Sequence, residues 1–237
     1  MSPRGGGSIR SRLNRAVRAL CPLVEREMSE RPPRPWGEYE LRRELVGCIL
    51  GSQVGHGMAI AATQNLEYAG LLHNAWWSRP QEDDFGPLVL KVLSGQRPGL
   101  PHSIRYRFFR TRSEQLIDAR NALARRPLGA RLTSGESPLE LRQSLVTDIA
   151  GVGPKQASMF LRNTDVSHNL AILDRHVLRF LDLQDLLLPH DACIGTLSAY
   201  EKTERVVISY ASTVGYTVGC VDLAIWATMK AARELGW

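Results

Sequence analysis

The chain has 237 residues, of which 43 % are hydrophobic and 23 % are charged. These values are ordinary for a folded protein and exclude wholesale disorder, and the length allows one large domain or two small ones. Lys and Arg number 30 against 24 Asp and Glu, and this formal net charge of +6 suits a polyanionic partner.

The four cysteines lie far apart in the sequence, at Cys21, Cys48, Cys193 and Cys220. None of them has the CxxC spacing, so neither a zinc site nor an iron–sulfur cluster has local support. A chain of this length with an ordinary core does not need a disulfide framework. We therefore expect four reduced thiols, mostly buried, and no metal site.

Neither secretion nor membrane insertion is predicted. The N-terminus carries scattered arginines with no apolar segment behind them. The 22 residues between Glu44 and Glu67 lack a formal charge, but they contain four glycines and several polar side chains, which is too polar for a membrane span. We expect a soluble protein of the prokaryotic cytoplasm, without a membrane partner.

The first 36 residues are expected to form a basic, flexible extension and a connector. Residues 1–12 have the composition of a flexible tail. Apolar residues recur every three or four positions within residues 13–29, which predicts a helix that Pro22 should kink or split. The proline-rich segment 31–36 is expected to form a stiff connector.

Residues 37–237 are predicted to form one helical domain, because strand signals are nearly absent. Ser137, Pro138 and Glu140 are a cap, a first-turn proline and a capping-box acid, and together they predict a helix start. The pattern indicates an all-α protein of two helical lobes with a cleft between them. Helices are predicted over about residues 38–50, 56–72, 88–95, 105–126, 138–148, 154–163, 174–181, 198–214 and 220–235.

The most informative segment is a predicted helix hairpin at about residues 139–163. One helix ends, Gly151-Val152-Gly153 makes a tight turn, and Pro154 opens the next helix. The amides of such a turn and of the following helix N-terminus form an anion site, and a DNA phosphate suits it. Lys155 follows in the first helical turn, and Asp174 lies 19 residues later, where another helix should begin.

The string GVGPK followed by LDRH resembles the helix-hairpin-helix DNA glycosylase superfamily. Within it, the chain is most similar to the compact archaeal-type 8-oxoguanine DNA glycosylases with AP lyase activity. The basic segment RYRFF at residues 105–109 and the string DLAIW at residues 222–226 add to this likeness, which covers roughly residues 40–235.

The resemblance implies that Lys155 is the nucleophile and Asp174 its essential partner. The lysine would attack C1′ of the nucleoside, displace the base and leave a Schiff base, after which the 3′ phosphate can be eliminated. The residue types fit this chemistry. Burial and a helix N-terminus both favour the neutral amine that attack requires, and a carboxylate beside the sugar stabilises oxocarbenium charge.

The resemblance also implies a way to extrude the base from a duplex. Leu50-Gly51-Ser52-Gln53 resembles the turn whose glutamine fills the vacancy left by a flipped base. Trp226 matches a tryptophan that stacks on that base. Further contacts to the DNA are expected from the backbone of the hairpin at Gly151 and Gly153 and from the side chains of His176, Arg105 and Arg107.

Two features depart from the family pattern. The chain ends in Glu234-Leu235-Gly236-Trp237 rather than in a polar tail that helps to read 8-oxoguanine, and about 35 residues precede the matched region. An aromatic terminus would suit a different or larger pocket. The departures concern the substrate, not the reaction.

Three functions are therefore weighed. The first is a glycosylase and AP lyase for 8-oxoguanine, the second is the same chemistry on hypermodified bases of phage DNA as antiviral defence, and the third is a non-catalytic DNA-binding module. We expect a monomer acting on duplex DNA with a damaged or modified base, in association with the nucleoid. No cofactor is expected, apart from a monovalent cation at the hairpin carbonyls of residues 149–153.

Overall fold

The computed structural model describes residues 8–32, 34–78, 84–187 and 194–236, and within these ranges it contains twelve α-helices and no strand. The predicted all-α class is confirmed. The helices are α1 Ile9–Glu30, α2 Glu38–Leu50, α3 His56–Tyr68, α4 Asn74–Trp77, α5 Phe85–Leu93, α6 Phe109–Arg125, α7 Leu128–Leu132, α8 Pro138–Asp148, α9 Pro154–Asn163, α10 Arg175–Leu183, α11 Leu197–Val214 and α12 Val218–Glu234.

The helices divide into two units. The first unit consists of residues up to Arg34 together with those from Ser167 onward, and the second consists of Pro35–Val166. The chain therefore begins in one unit, builds the other from a continuous segment, and then returns to the first. The single helical domain predicted over residues 37–237 does not match this division.

Helix α1 belongs to the first unit and packs against α12. Its apolar face buries Leu13, Val17, Cys21 and Val24, with Val17 and Cys21 fully enclosed. The helix predicted over residues 13–29 is confirmed, but it begins earlier, at Ile9. The flexible extension predicted for the first 36 residues is therefore wrong over this helix, because its apolar face is stabilised by packing on α12. The helix continues through Pro22. Residues 1–7 and Pro33 of the predicted tail and connector lie outside the described residues.

The second unit is built around α2. This helix packs against α3 and α9, while α5 packs against α6, and α8 pairs with α9. The predicted start of α8 is confirmed: Ser137 Oγ accepts from the amide of Glu140, whose carboxylate accepts from the amide of Ser137 in return.

The helix predicted over residues 105–126 begins later, at Phe109. Tyr106 is fully buried, its amide donates to the carbonyl of Leu93, and its hydroxyl donates to the carbonyl of Leu50 at 2.5 Å. These long-range bonds hold residues 105–108 out of the helix.

Three of the predicted free thiols are confirmed as buried and unpaired by disulfides, those of Cys21, Cys48 and Cys220. Cys193 lies outside the described residues. No group of three or more potential metal-binding side chains occurs in the part of the chain that the structure describes. Within the same part, no single helix is long and apolar enough to cross a membrane, although α11 and α12, bent by 94°, pass that test as a pair.

Candidate active site

The predicted hairpin at residues 139–163 is confirmed as α8, a tight turn and α9. The amide of Val152 donates to the carbonyl of Ile149, which closes the turn, and Gly151 has a φ of +82°. Gly153 precedes α9 and Pro154 occupies its first position. The free amides at the start of α9 therefore follow directly on the glycine turn, in the arrangement that binds anions.

Lys155 lies half-buried in the first turn of α9. Within its unit it makes no hydrogen bond or ion pair with a described residue, so its amine is not committed to another side chain. Its charge acts on Cys48 of α2. Burial, and then the Glu44 carboxylate, raise the pKa of the Cys48 thiol well above its usual range, and the charges of Lys155 and Arg162 oppose this shift.

Gln53 lies in the turn between α2 and α3 and has a φ of +62°, a left-handed conformation that is uncommon for a side chain of this kind. It is exposed. The same turn and the hairpin line one polar cavity of about 680 Å³, to which Gln53, Gly151 and Gly153 all contribute. The structure thus brings together residues that the sequence predicted from two separate motifs, the Gln53 turn and the glycine turn of the hairpin.

Arg105 and Arg107 are exposed and lie in the segment before α6. Their guanidinium groups lie over aromatic rings, Arg105 over Phe109 at 5.4 Å and Arg107 over Phe108 at 4.9 Å. A guanidinium held on an aromatic face keeps its N–H groups available, which suits contact with phosphates. A further arginine a few residues later, Arg112 on α6, is buried instead.

Asp174 belongs to the first unit and caps α10. Its Oδ1 accepts from the amides of His176 at 2.8 Å and Val177 at 2.9 Å. Its Oδ2 makes no hydrogen bond with a described residue of that unit. The carboxylate is therefore fixed by one oxygen while the other is available for chemistry.

The three residues before Asp174 are held by buried side chains from α11 and α12. The amide of Ala171 donates to Glu204 at 2.9 Å, that of Ile172 to Asp222 at 2.7 Å, and that of Leu173 to the hydroxyl of Tyr200 at 3.0 Å. Sequence reasoning missed these roles. Their partners lie 27 to 50 residues away along the chain, so no local pattern indicates them.

His176 and Trp226 are brought together in the first unit. Their rings meet edge to face with centroids 6.5 Å apart, and the ammonium group of Lys230 lies 4.9 Å from the Trp226 ring centre. Burial lowers the pKa of His176, Asp174 opposes this shift, and Arg175, Arg233 and Lys230 reinforce it. Trp226 remains 38 % exposed, so part of a large flat surface is open to a ligand.

The predicted residues thus form two groups. Lys155, Gly151, Gly153 and Gln53 lie in the second unit with the two arginines of the 105–107 segment, and Asp174, His176 and Trp226 lie in the first. Trp237, considered as part of a base pocket, lies outside the described residues.

Comparison with known proteins identifies the family. A family model described as 8-oxoguanine DNA glycosylase matches residues 97–216, which include the hairpin, Lys155 and Asp174. An 8-oxoguanine DNA glycosylase/AP lyase of Metallosphaera sedula is 31 % identical over 90 % of this chain and 92 % of its own length. Because a match of that extent reaches into the first 36 residues, it also supports the placement of α1 within the fold.

Solved structures agree with the sequence relatives. The crystal structure of the 8-oxoguanine DNA glycosylase of Thermotoga maritima has a TM-score of 0.68 and 28 % identity, covering 92 % of this chain and 94 % of that one. The Methanocaldococcus jannaschii glycosylase/lyase, solved with a 15-mer DNA containing 8-oxoguanine, has a TM-score of 0.62 at 22 % identity, covering 93 % and 90 %, and it supports the fold. The chain therefore belongs to the 8-oxoguanine DNA glycosylase family of helix-hairpin-helix enzymes.

Proposed function

We propose that this DNA glycosylase releases 8-oxoguanine from duplex DNA, with Lys155 as the nucleophile and Asp174 as its partner. The observation that carries the proposal is the uncommitted amine of Lys155 in the first turn of α9, directly after the glycine turn. A module that only binds phosphate needs the turn amides but has no use for a half-buried amine beside them. The relatives named above are glycosylase/AP lyases.

The proposed reaction begins when the neutral amine of Lys155 attacks C1′. The bond between C1′ and the base breaks, its electron pair leaves with the base, and the base takes up a proton. One proton leaves the nitrogen, the C1′–O4′ bond breaks as O4′ takes up a proton, and the sugar ring opens to leave a protonated Schiff base. Removal of a proton from C2′ then expels the 3′ phosphate, which is the lyase step.

Asp174 has two tasks in this proposal. Its negative charge stabilises the positive charge that develops on the sugar when the base departs, and its free oxygen exchanges protons during the later steps. The capping bonds from His176 and Val177 fix the carboxylate without consuming Oδ2.

The remaining predicted residues would hold a duplex with an extruded base. Gln53 fills the vacancy in the stack, and Trp226 stacks on the extruded base. The hairpin amides bind a phosphate, and His176, Arg105 and Arg107 contact the DNA backbone. This division of labour is supported by the shared cavity of the Gln53 turn and the hairpin.

The chemistry draws on side chains alone, so the proposal requires no metal or organic cofactor. We also propose that a monovalent cation binds at the hairpin carbonyls of residues 149–153, which line a polar cavity together with Asp148. We propose action as a monomer on the prokaryotic chromosome, in the cytoplasm.

Two measurements test the proposal. Duplexes that each carry one modified base, and phage DNA with hypermodified cytosines, are incubated with the protein, and base release is scored by mass spectrometry. Borohydride trapping then detects the Schiff base. Release of 8-oxoguanine and a covalent adduct are expected, and Lys155→Gln should abolish the adduct, whereas Lys91→Gln, an exposed lysine on α5, should not.

Each other outcome has a distinct meaning. Release only from phage DNA would keep the roles of Lys155 and Asp174 and move the function to antiviral defence. An unchanged adduct in Lys155→Gln would place the nucleophile elsewhere. Absence of both release and adduct would leave a DNA-binding module without chemistry.

A further inference from the structure

Arg112 on α6 is a buried arginine, 8 % exposed, and it connects two parts of the candidate site. One terminal nitrogen donates to Oε1 of Gln115, one turn further along α6. The other donates to the carbonyl of Ser52 at 3.3 Å. The Arg112 guanidinium therefore holds the turn that carries Gln53 against the side of α6.

The other end of the connection is the hairpin. Gln115 packs so closely on Gly151 that its Oε1 lies 2.8 Å from the point where a Cβ would stand there. The chain of contacts thus runs from the Ser52 carbonyl through Arg112 and Gln115 to the glycine turn. Every member lies in the second unit and lines the same polar cavity.

A second bond supports the same turn. The hydroxyl of Tyr106 donates to the carbonyl of Leu50 at 2.5 Å. Burial raises the pKa of Tyr106, and a hydrogen bond with Arg112 opposes that shift. Two side chains from the segment around the start of α6 therefore hold the carbonyls of Leu50, at the end of α2, and Ser52, in the α2–α3 turn.

Two features of this arrangement are costly for a purely structural element. Gln53 is held in a left-handed conformation, which is strained for a residue with a side chain. Arg112 Nε is buried and has no hydrogen-bond partner among the described residues. Strained backbone and unpaired buried donors are concentrated where a structure maintains a functional geometry.

We propose that Arg112 is a positioning residue that, together with Gln115, presents Gln53 for insertion into the DNA stack and sets its distance from the hairpin. The inference rests on the proposed function, since Gln53 has a vacancy to fill only if a base is extruded. Arg112 itself is not expected to touch the reacting sugar.

The test separates base extrusion from sugar chemistry. Base release is measured in single turnover on duplex DNA with 8-oxoguanine, and 2-aminopurine beside the lesion reports by fluorescence how the vacancy is filled. Borohydride trapping on a duplex that already holds an abasic site measures Schiff-base formation without extrusion. Arg112→Met is compared with Arg26→Met, a change of an exposed arginine on α1.

Arg112→Met should lower base release and the 2-aminopurine response by roughly 10-fold, since it removes two charge-assisted hydrogen bonds. Trapping on abasic DNA should change by less than about 3-fold, because that reaction does not use Gln53. Arg112→Lys, which keeps the charge but not the forked geometry, should lie between wild type and Arg112→Met. Arg26→Met should behave as wild type.

A double variant tests whether Arg112 acts through Gln53. In a Gln53→Ala background, Arg112→Met should cause little further loss, whereas independent effects would multiply and overturn the inference. Equal losses in the release and trapping assays, or no loss in either, would also overturn it. A wild-type protein that neither released base nor formed the adduct would instead refute the proposed function.

If Arg112→Met does not fold, as judged by circular dichroism, Gln115→Ala tests the same connection. This change keeps the guanidinium and the Ser52 bond but removes the contact with Gly151. Selective loss of base release in Gln115→Ala supports the inference, and unchanged release overturns it.

Discussion

The side-chain oxygen of Gln115 lies 2.8 Å from the position that a Cβ on Gly151 would occupy. Gly151 also has a φ of +82°, a region that residues with a side chain rarely adopt. The backbone conformation therefore favours glycine at this position of the hairpin, and a Cβ there would also have to displace the end of the Gln115 side chain. Through Gln115, α6 contacts the backbone of the hairpin turn at Gly151.

Gly151→Ala should lower the free energy of unfolding by about 2–4 kcal/mol, because it adds overpacking to backbone strain. Gly135→Ala is the matched control, since Gly135 has the same φ of +82° and nothing within 4 Å of its Cβ position. It should cost only about 1–2 kcal/mol, the strain alone. Urea unfolding measures both, and equal losses would contradict the role of the Gln115 contact.

Asp174→Asn should retain stability and DNA binding but lose turnover. Asparagine caps a helix about as well as aspartate, so the bonds from the amides of His176 and Val177 survive. The negative charge, however, is lost. Asp174→Ala should lose turnover and also about 1 kcal/mol of stability. Single-turnover base release and thermal unfolding distinguish the two roles, and full activity of Asp174→Asn would leave Asp174 as a cap only.

Tyr200→Phe should loosen the segment that leads into Asp174. The Tyr200 hydroxyl is buried, accepts from the amide of Leu173, and donates to the carbonyl of Ala171 at 2.7 Å. Its removal should cost about 1–3 kcal/mol and speed hydrogen exchange at the Leu173 amide. Tyr68→Phe, at a side chain 69 % exposed, should cost less than about 0.5 kcal/mol. Unaltered exchange at Leu173 would show that Tyr200 does not hold this segment.

Val17→Ala tests whether α1 is part of the core. Val17 is fully buried, so loss of two methyl groups should destabilise the protein by about 1–2.5 kcal/mol. Leu23→Ala on the same helix, at a side chain 55 % exposed, should cost no more than about 0.5 kcal/mol. Chemical denaturation compares the two, and similar small losses would mean that α1 is only loosely attached.

Stability should fall on acidification, partly through His176. Burial lowers its pKa below the usual 6.5, so the unfolded chain takes up this proton more readily than the folded chain. The stability that the protein gains from a neutral His176 is fully present above pH 6.5. It is lost as the pH falls from 6.5 through the lowered pKa of His176. His176→Gln lacks this titration, so its Tm should fall less than that of wild type between pH 7.5 and 5.5. Parallel Tm curves would contradict a lowered pKa for His176.

Local signals explain why much of the fold could be predicted. Ser137 and Glu140 form the expected capping box, and the Gly151–Gly153 turn and Pro154 separate α8 from α9 where the sequence indicated. Each of these signals acts within a few residues of the chain, through caps and backbone conformations. Lys155 and Asp174 could be named because they lie in the short strings GVGPK and LDRH, whose resemblance to known DNA glycosylases implies their roles.

Contacts between distant segments were decided by the tertiary structure. The amphipathic pattern of α1 predicted a helix but not its partner, α12, nearly 200 residues later. Arg112 is buried because the Ser52 carbonyl, 60 residues away, and the side chain of Gln115 accept hydrogen bonds from its terminal nitrogens. Local sequence determined where the helices and the chemically active groups lie along the chain. The tertiary structure determined which of these groups are buried and which side chains form hydrogen bonds with them. Burial and hydrogen bonding depend on segments that are distant in sequence and meet only in the folded protein.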